Sequence, residues 1–463
     1  MLRETILSRS FSRNDQRRLG CGAFLCCLLT ALSVFILLRP YLGHIPALTL
    51  RLSPGYGHGL FAMRDESVLM RREDPTEANR GSKQDASCHL SEPVSDYCEM
   101  TGDIRVLGNL SSILIGSSQA EQMNTSQKIR PYARKPDTNA MKPIQEWSIL
   151  PVVKGDREQV SPCTHNHSVP AVLFSFGGYA GNNFHAIADV IVPLFLTSRR
   201  FNQQVQFLVT NMVPWSIHRY QAIFNHLSRY EIIDIDKDRN VHCFSKAIIG
   251  LKFHEELILY PQRPPHYSMK DFREFLRTSY SLGRMTAVNL SSSPGQRPRL
   301  LIISRSKTRM FTNVLEIVAL AESLGYEVTV SELTHNTTRT VQAVNSCDVM
   351  MGVHGAGLTN FLFLPDNAVL IQVVPIGGLD WHARRYFGDP ARAMKVSYVE
   401  YQIKEEESSL INEYPRDHLV FRDPDELKKD RPAFTSICLE KQNVKIDVNR
   451  FRGTLARALD LLR

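Results

Sequence analysis

The sequence predicts an α/β fold built from two doubly wound domains that face each other across a cleft. Strands and helices alternate in two successive runs, over residues 171–251 and 299–374. Most strands in those runs are continuously apolar, which is typical of parallel strands buried on both faces. The composition, 43% hydrophobic and 22% charged over 463 residues, suits packed domains and excludes collagen-like, coiled-coil and wholly disordered chains.

An uncharged apolar stretch of 20 residues lies at 19–38 and is long enough to cross a bilayer once as a helix. Five arginines precede it, so the tail is expected in the cytoplasm and the body in the lumen. A cleaved signal peptide is the alternative, but its apolar region usually has only ~7 to 15 residues. We therefore predict a signal anchor.

Two features agree with a luminal body. Acceptor sequons for N-glycosylation occur at Asn109, Asn124, Asn166, Asn289 and Asn336. Six cysteines lie outside the anchor, an even number that suits an oxidising compartment. Proximity favours only the pair Cys88 with Cys98, and Cys347, within an apolar pattern, is equally compatible with a buried thiol.

The chain divides into segments of different composition. A polar region without sustained periodicity follows the anchor and predicts a flexible stem. The formal net charge of +8 suits anionic small ligands, and no strong basic run indicates nucleic-acid binding. The predicted segments are the tail 1–18, the anchor 19–38, the stem 39–93, an N-terminal domain 94–285 and a C-terminal domain 286–463 that ends in a helix.

The N-terminal domain opens with short alternating stretches at 104–115 and 147–153, which predict strands. AVLFSF (171–176) then predicts a buried parallel strand, and apolar residues at helical spacing over 183–199 predict the helix after it. The alternation continues with the strand 204–210, a helix over 215–227 and the strands 230–235 and 241–251.

The C-terminal domain follows a helical stretch at 270–281 and repeats the pattern more clearly. RLLIIS (299–304) predicts its first strand, and Gly325 is a natural end for the helix 313–324. The remaining predicted elements are the strand 326–333, the helix 338–345 and the strands 349–353 and 368–374.

Two loops of the C-terminal domain emerge at strand ends, where open parallel sheets bind ligands. After VMMGV, Gly355 and Gly357 allow positive φ angles, so that backbone N–H groups can converge on phosphate oxygens beside His354. A tight turn with a hydrogen-bonded histidine is the alternative. After RLLIIS, Arg305, Lys307 and Arg309 could hold a diphosphate, and an ordinary solvated loop is the alternative there.

A glycine-rich entry in the N-terminal domain, residues 177–183, leads into a helix with His185 and Asp189 on one face. Either side chain is a candidate general base for an acceptor hydroxyl, with Asp189 alternatively only orienting the histidine. A helix-capping network around Asn182 and His185 explains the same residues equally well.

A metal site is a further possibility, because Asp234 and Asp236 have a spacing that can hold Mn²⁺ or Mg²⁺. Charged neighbours favour a solvated turn instead, and we predict no metal ligands. The chain has no Walker P-loop, HExxH or GxSxG motif, so sequence support is missing for a nucleotide hydrolase of that type, a zinc protease or a serine hydrolase.

Five segments carry a family resemblance. They are GGYAGNNFHAIADVIVPLF, RPRLLIISRSKTRMFTN, VNSCDVMMGVHGAGLTNFLFLPDNAVLIQVVPIG, EYPRDHLVFRDP and EKQNVKIDVNRF. In sequence and in order they resemble plant members of glycosyltransferase family 61, over a match from about residue 95 to the C-terminus. The chain is most similar to the xylan arabinosyltransferase and xylosyltransferase group.

The resemblance implies a type II, single-pass Golgi membrane enzyme of GT-B fold, with two facing Rossmann-like domains. It implies inverting transfer of a pentose, arabinofuranosyl or xylosyl, from a UDP-sugar onto xylan in cell-wall biosynthesis. Implied with it are no tightly bound cofactor, no essential divalent metal, no nucleic acid, and possible complexes with other Golgi glycosyltransferases. Transfer of β-1,2-xylose to N-glycans and a non-catalytic Golgi scaffold or glycan binder are the alternatives.

The resemblance also assigns roles to matching residues. The N-terminal domain would take the acceptor, with His185 or Asp189 facing it. The C-terminal domain would hold the donor diphosphate near the two loops described above. The implied donor-binding residues are Arg305, Lys307, Arg309, His354, Gly355, Gly357 and Asn360.

Overall fold

The computed structural model of the protein describes residues 87–116, 126–152, 161–333 and 337–463. The predicted tail and anchor, and the stem up to residue 86, lie outside these ranges. Among the helices inside them, none combines the length and apolar character that a bilayer span needs.

A ten-stranded mixed sheet forms the first half of the described chain. Its strands are β1 Ser87–His89, β2 Tyr97–Leu107, β3 Ser112–Ile115, β4 Gln127–Ile129, β5 Trp147–Pro151, β6 His165–His167, β7 Ala171–Ser175, β8 Gln206–Thr210, β9 Ile233–Asp234 and β10 Val241–Gly250. The order is β4-β5-β3-β2-β10-β7-β8-β9, with β1 beside β2 and β6 beside β10. Strand β1 falls within the range predicted to be stem.

The α/β fold is confirmed, but this half is not a doubly wound parallel sheet throughout. Strands β10, β7, β8 and β9 form a parallel core, and β2 extends it in the antiparallel direction beside β10. A short turn joins β2 to β3, so the two pair as an antiparallel hairpin. The alternating burial along β2 is that of an antiparallel strand with one face on the core.

The helices of this half are α1 Thr138–Met141, α2, α3 Pro214–Arg219, α4 Gln221–Leu227 and α5 Met269–Tyr280. Helix α2 consists of Asn183–His185, the π-helical segment Ala186–Ile191 and Val192–Ser198, which follow one another without a break. The single helix predicted over 215–227 is two helices, because the backbone leaves helical geometry at Tyr220.

A five-stranded parallel sheet forms the second half, in the order β12-β11-β13-β14-β15. Its strands are β11 Arg299–Ile303, β12 Glu327–Ser331, β13 Val349–Val353, β14 Val369–Val374 and β15 Ser397–Gln402. The first four strands are connected by α6 Val314–Ser323, α7 Thr337–Asn345 and the 3-10 helix Ala356–Phe363. A longer helix, over residues 380–393, connects β14 to β15. This order is that of a doubly wound sheet, as predicted for this half.

Helix α8 runs through Asp380–Ala383, the π-helical segment Arg384–Gly388 and Asp389–Ala393. The C-terminal helices are α9 Leu419–Arg422, α10 Pro424–Lys429, α11 Arg431–Phe434 with the π-helical continuation Thr435–Lys441, and α12 Val448–Asp460. Short 3-10 turns lie at Gly108–Leu110, Arg199–Phe201, Glu405–Glu407 and Ser409–Asn412.

Each sheet has one point at which the chain changes direction across the strands. From β11 the chain moves outward to β12 and then returns to β13 on the other side, and β7 is similarly flanked by β8 and β10. At such points the loops beyond the carboxyl ends diverge and leave a crevice for a ligand. The fold therefore indicates that a ligand would bind near the loops after β11, β13, β7 and β10.

One cluster of buried apolar side chains connects the two halves, from Phe174 and Ile187 to Leu358 and Phe387. The predicted disulfide Cys88–Cys98 is present, and a second joins Cys163 to Cys243. Cys347 and Cys438 are buried free thiols.

Candidate active site

Two guanidinium groups meet at the switch point between β11 and β13. Arg305 and Arg309 follow β11, and Gly355 follows the neighbouring strand β13. A Cβ atom on Gly355 would lie 3.0 Å from Nη1 of Arg309 and 3.1 Å from Nη1 of Arg305. Gly355 has a φ of 146°, which disfavours any side chain. The backbone of Gly355 is thus held directly against both cations.

Arg309 is almost fully buried, with 3% of its surface exposed. Its Nη1 donates to the carbonyl of His354 at 2.8 Å, while its Nε has no hydrogen-bond partner among the described residues. Its φ of 53° is an unfavourable backbone conformation for an arginine. Arg305 is anchored by its own loop, through the carbonyl of Thr308 at 2.6 Å and the hydroxyl of Thr308 at 2.9 Å.

No carboxylate balances this positive charge at close range. Within the described ranges, neither guanidinium has a carboxylate oxygen within 4.0 Å. Burial and the nearby Arg305 lower the pKa of Arg309 to about 9 and outweigh the more distant charge of Glu440. Burial lowers the pKa of Arg305 and outweighs the charge of Glu332. Buried cations without a counter-ion are costly unless a ligand supplies the negative charge. The arrangement is suited to bind an anion with several oxygens, such as a diphosphate.

His354 lies beside these cations with a defined tautomer. Gln372 donates its amide Nε2 to Nδ1 of His354 at 2.6 Å, and Tyr398 donates to the amide oxygen of Gln372 at 3.0 Å. Nδ1 is therefore an acceptor, and the proton is on Nε2. Burial, with Arg309, His382 and Arg305, lowers the pKa of His354 well below its usual value. The neutral ring offers one N–H to a ligand.

The 3-10 helix that follows Gly355 adds partial positive charge, since its first N–H groups have no partner within the helix. Gly357, where a positive φ was predicted to be possible, does not have one. A Cβ atom at this position would contact only Ile303, at 3.7 Å. Asn360 donates to the carbonyl of Gly357 at 2.8 Å and so stabilises the helix. Lys307 is exposed. Of the predicted donor residues, Arg305, Arg309, His354 and Gly355 come together.

The second predicted site centres on Asp189, which is completely buried. Its carboxylate accepts hydrogen bonds from Tyr132 at 2.8 Å, from Arg134 Nε and Nη2 at 2.9 and 3.0 Å, and makes one with His185 Nδ1 at 3.0 Å. The predicted capping role belongs to Asn182, whose side chain accepts from the N–H of Phe184. His185 takes no part in the cap and instead forms a hydrogen-bonded pair with Asp189.

The pKa values of both Asp189 and His185 are lowered, from different causes and with different consequences. Burial would raise the pKa of Asp189, but Arg134 and His185 outweigh it, so the pKa is lowered. Asp189 is thus held as a carboxylate with a lowered pKa, whereas the general-base option given above needs a raised one. The effect of burial on His185 exceeds the opposite effect of the Asp189 charge, so the pKa of His185 is lowered. The imidazole is therefore neutral and able to accept a proton.

The two predicted regions contact each other. The amide of Asn183 donates to the carbonyl of Ala356 at 3.5 Å, which links the helix of His185 to the loop of His354. The centroid of the Phe387 ring lies 5.9 Å from the ring centroid of Phe184 and 5.5 Å from that of His354. The candidate base and the anion site therefore border the same aromatic cluster.

The aspartates considered as metal ligands are otherwise engaged. Asp236 accepts from the hydroxyl of Thr210 and the N–H of Asn211, both at 2.6 Å, and Asp234 pairs with Lys237 at 2.6 Å. Within the described ranges no group of three or more potential ligands is arranged to hold a metal ion.

Sequence reasoning missed four residues of the site. Tyr132 and Arg134 lie between the two strands predicted at 104–115 and 147–153, and nothing in the local pattern distinguishes them. Gln372 offered a signal, as the one polar side chain within the apolar strand AVLIQVV, because a polar group at a buried position must find partners. Tyr398 could be found only through its contact with Gln372.

Comparison with known proteins gives consistent results. The Glycosyltransferase 61 profile matches residues 184–371. Alpha-1,3-arabinosyltransferase XAT3 of Oryza sativa subsp. japonica is 45% identical over 405 residues, covering 86% of this chain and 69% of that protein. Beta-1,2-xylosyltransferase XYXT1 of the same plant is 40% identical over 394 residues, covering 81% and 84%.

The chain is also similar to a relative from another plant and, weakly, to a solved structure. Xylan glycosyltransferase MUCI21 of Arabidopsis thaliana is 35% identical over 398 residues, covering 81% of this chain and 79% of that protein. The structure of the dodecameric iron-containing heptosyltransferase TibC with ADP-D-beta-D-heptose is 12% identical, with a TM-score of 0.27 over 66% of this chain and 82% of that one. A likeness this low supports no argument.

Proposed function

Because the chain belongs to glycosyltransferase family 61, we propose that it is an inverting pentosyltransferase that moves arabinofuranose or xylose from a UDP-sugar onto xylan. The sugar and the acceptor are inferred from the names of the plant relatives. The observation that carries the proposal is the pair of guanidinium groups at Gly355, that of the buried Arg309 and that of the partly buried Arg305, neither of which has a carboxylate oxygen within 4.0 Å in the described ranges.

In this proposal the UDP diphosphate binds over Gly355. Arg305 and Arg309 supply the opposite charge, and Nε2 of His354 donates a hydrogen bond to a phosphate oxygen. As the bond between sugar and phosphate breaks, negative charge grows on the leaving UDP. Cationic and N–H donors already in place stabilise that charge without reorganisation.

His185 is the proposed general base on the acceptor side. It removes the proton of the attacking xylan hydroxyl while that oxygen forms a bond to the anomeric carbon from the face opposite UDP, which inverts the configuration. Asp189 fixes the ring through Nδ1 and stabilises the imidazolium that forms. A neutral ring in the resting protein is what this role needs, and burial supports it.

Three further elements complete the proposal. The two halves act as the facing Rossmann-like domains of a GT-B enzyme, with the acceptor at β7 and β8 and the donor at β11 and β13. Transfer needs no divalent metal, because Arg305 and Arg309 carry the positive charge beside the diphosphate. The enzyme acts in the Golgi lumen as a type II membrane protein, an expectation that rests on residues 1–38.

The test is a donor screen with the purified protein. UDP-arabinofuranose and UDP-xylose are each incubated with xylohexaose, and products are detected by mass spectrometry with and without EDTA. We expect pentosyl transfer from one donor, unaffected by EDTA, and an inverted anomeric configuration by NMR. No transfer from either donor, together with no binding of UDP, would contradict the proposal.

Two substitutions localise the activity. His185→Gln should abolish transfer and leave UDP affinity unchanged, whereas Arg305→Met should weaken UDP binding. Removing one donor of charge stabilisation typically lowers kcat by about 10² to 10³. Lys307→Met, in the same loop but exposed, is the matched control and should behave like the unsubstituted protein.

A further inference from the structure

An exposed tryptophan lies beside the proposed acceptor side. The chain has three tryptophans: Trp147 is fully buried, while Trp215 and Trp381 have 53% and 49% of their surfaces exposed. A large indole left half in water is unusual for a residue that gains so much from burial. Single exposed apolar residues need no explanation on their own, so position must decide.

The position of Trp215 is specific. Strand β8 is the parallel neighbour of β7, and Trp215 stands at the start of helix α3, just beyond the carboxyl end of β8. Its Cζ2 would be 3.9 Å from a Cβ on Gly181, which belongs to the loop after β7. Ser216 also donates to the carbonyl of Ala180 at 3.3 Å. The indole therefore lies on the loop that leads directly into the helix of His185.

The surroundings favour a neutral, ring-shaped ligand. Arg219 lies over one face of the indole, with its guanidinium carbon 5.6 Å from the ring centroid, so a ligand would pack on the exposed surface that this cation does not cover. The C–H groups on one face of a pyranose ring are apolar and slightly positive, so they pack favourably against the electron-rich face of an indole. An acceptor composed of linked pyranose rings presents such a face repeatedly.

We infer that Trp215 forms a binding subsite for a xylosyl ring of the acceptor chain, away from the ring that carries the reacting hydroxyl. This inference rests on the proposed function, since it takes the crevice beside His185 as the acceptor side. It predicts that Trp215 contributes to acceptor binding and leaves the chemical step to other residues.

The experiment measures transfer to xylobiose and xylohexaose by the protein with Trp215→Ala and Trp215→Phe. For xylohexaose, loss of one stacked ring should raise KM roughly three- to tenfold with kcat unchanged, and Phe should restore most of the affinity. Xylobiose has only one ring besides the one that reacts, so its KM should change less than that of xylohexaose, by under about twofold. Leu315→Ala, which truncates an exposed apolar residue on α6, is the control.

Separate measurements keep the two proposals distinguishable. If the unsubstituted protein neither transfers a pentose nor binds UDP, the proposed function fails, and binding of xylohexaose by calorimetry still tests the subsite. Binding that is lost in Trp215→Ala, with an unchanged melting temperature, supports the subsite in either case. The inference is overturned if Trp215→Ala keeps the xylohexaose affinity, or if Trp381→Ala alone weakens it.

Discussion

Replacing Arg309 with methionine should stabilise the protein without ligand and remove its response to UDP. Methionine keeps much of the side-chain length and removes the buried charge. The guanidinium has no carboxylate partner in the described ranges, and its Nε is not hydrogen bonded there. In the proposed function this charge serves a ligand at the expense of stability.

The structure sets the size of this effect. Burial and Arg305 lower the pKa of Arg309 from 12.5 to about 9, a difference equivalent to an unfavourable free energy of about 5 kcal/mol for the charged form. This is an upper limit. Loss of the hydrogen bond to the carbonyl of His354 removes about 1 kcal/mol of stabilisation and leaves that carbonyl in need of a partner. We expect a net stabilisation of about 1–3 kcal/mol.

Thermal unfolding with and without UDP measures both effects. Arg309→Met should melt roughly 1–4 °C higher than the unsubstituted protein in the absence of UDP. Saturating UDP should stabilise the unsubstituted protein by about 2.7 kcal/mol at a hundredfold excess over Kd, and the variant not at all. Lys307→Met should change neither value. A destabilised Arg309→Met variant with a full UDP response would refute the reasoning.

Three further results are expected. Gln372→Met should reduce transfer about tenfold in kcat/KM, because His354 loses the donor that fixes its tautomer; unchanged kinetics would contradict this role. Asp189→Asn should cost about 3 kcal/mol in urea denaturation, because Arg134 loses its buried counter-charge; a change below about 1 kcal/mol would contradict the ion pair's importance. Acidification from about pH 6.5 toward pH 4 should destabilise the fold, by up to about 1.4 kcal/mol per pH unit for each buried histidine. Burial lowers the pKa of several histidines, that of His382 to about 4, so the unfolded chain binds more protons in this range. Denaturation at about pH 7 and about pH 5 measures the effect, and equal stability at both would contradict it.

The second half of the fold could be predicted from the sequence because the composition of each strand indicates whether its faces are buried. VMMGV and AVLIQVV are apolar throughout, as parallel strands covered on both faces must be, and glycine marks the end of the helix between β11 and β12. The first half was harder. Its alternating strand β2 indicates one covered face but does not specify which strand it pairs with, so the antiparallel extension of the sheet was not predicted.

The site shows the same division. The motif HGAG and the arginines after β11 were identified from residue type and from their position at strand ends, which is local information. Arg134 and Tyr132 join Asp189 from 55 and 57 positions away along the chain. No local pattern encodes such contacts, and it is Arg134, together with His185, that lowers the pKa of Asp189.

By itself the sequence determined the α/β class, the order of the elements in the parallel runs and the candidate loops at the strand ends. These follow from residue periodicity and backbone preferences, which act over a few residues. Only the tertiary structure decided which arginines share a site, that Lys307 stays outside it, and which histidine nitrogen carries the proton. Those properties depend on burial and on distances between residues remote in the chain, because desolvation and Coulomb interactions are set by three-dimensional proximity.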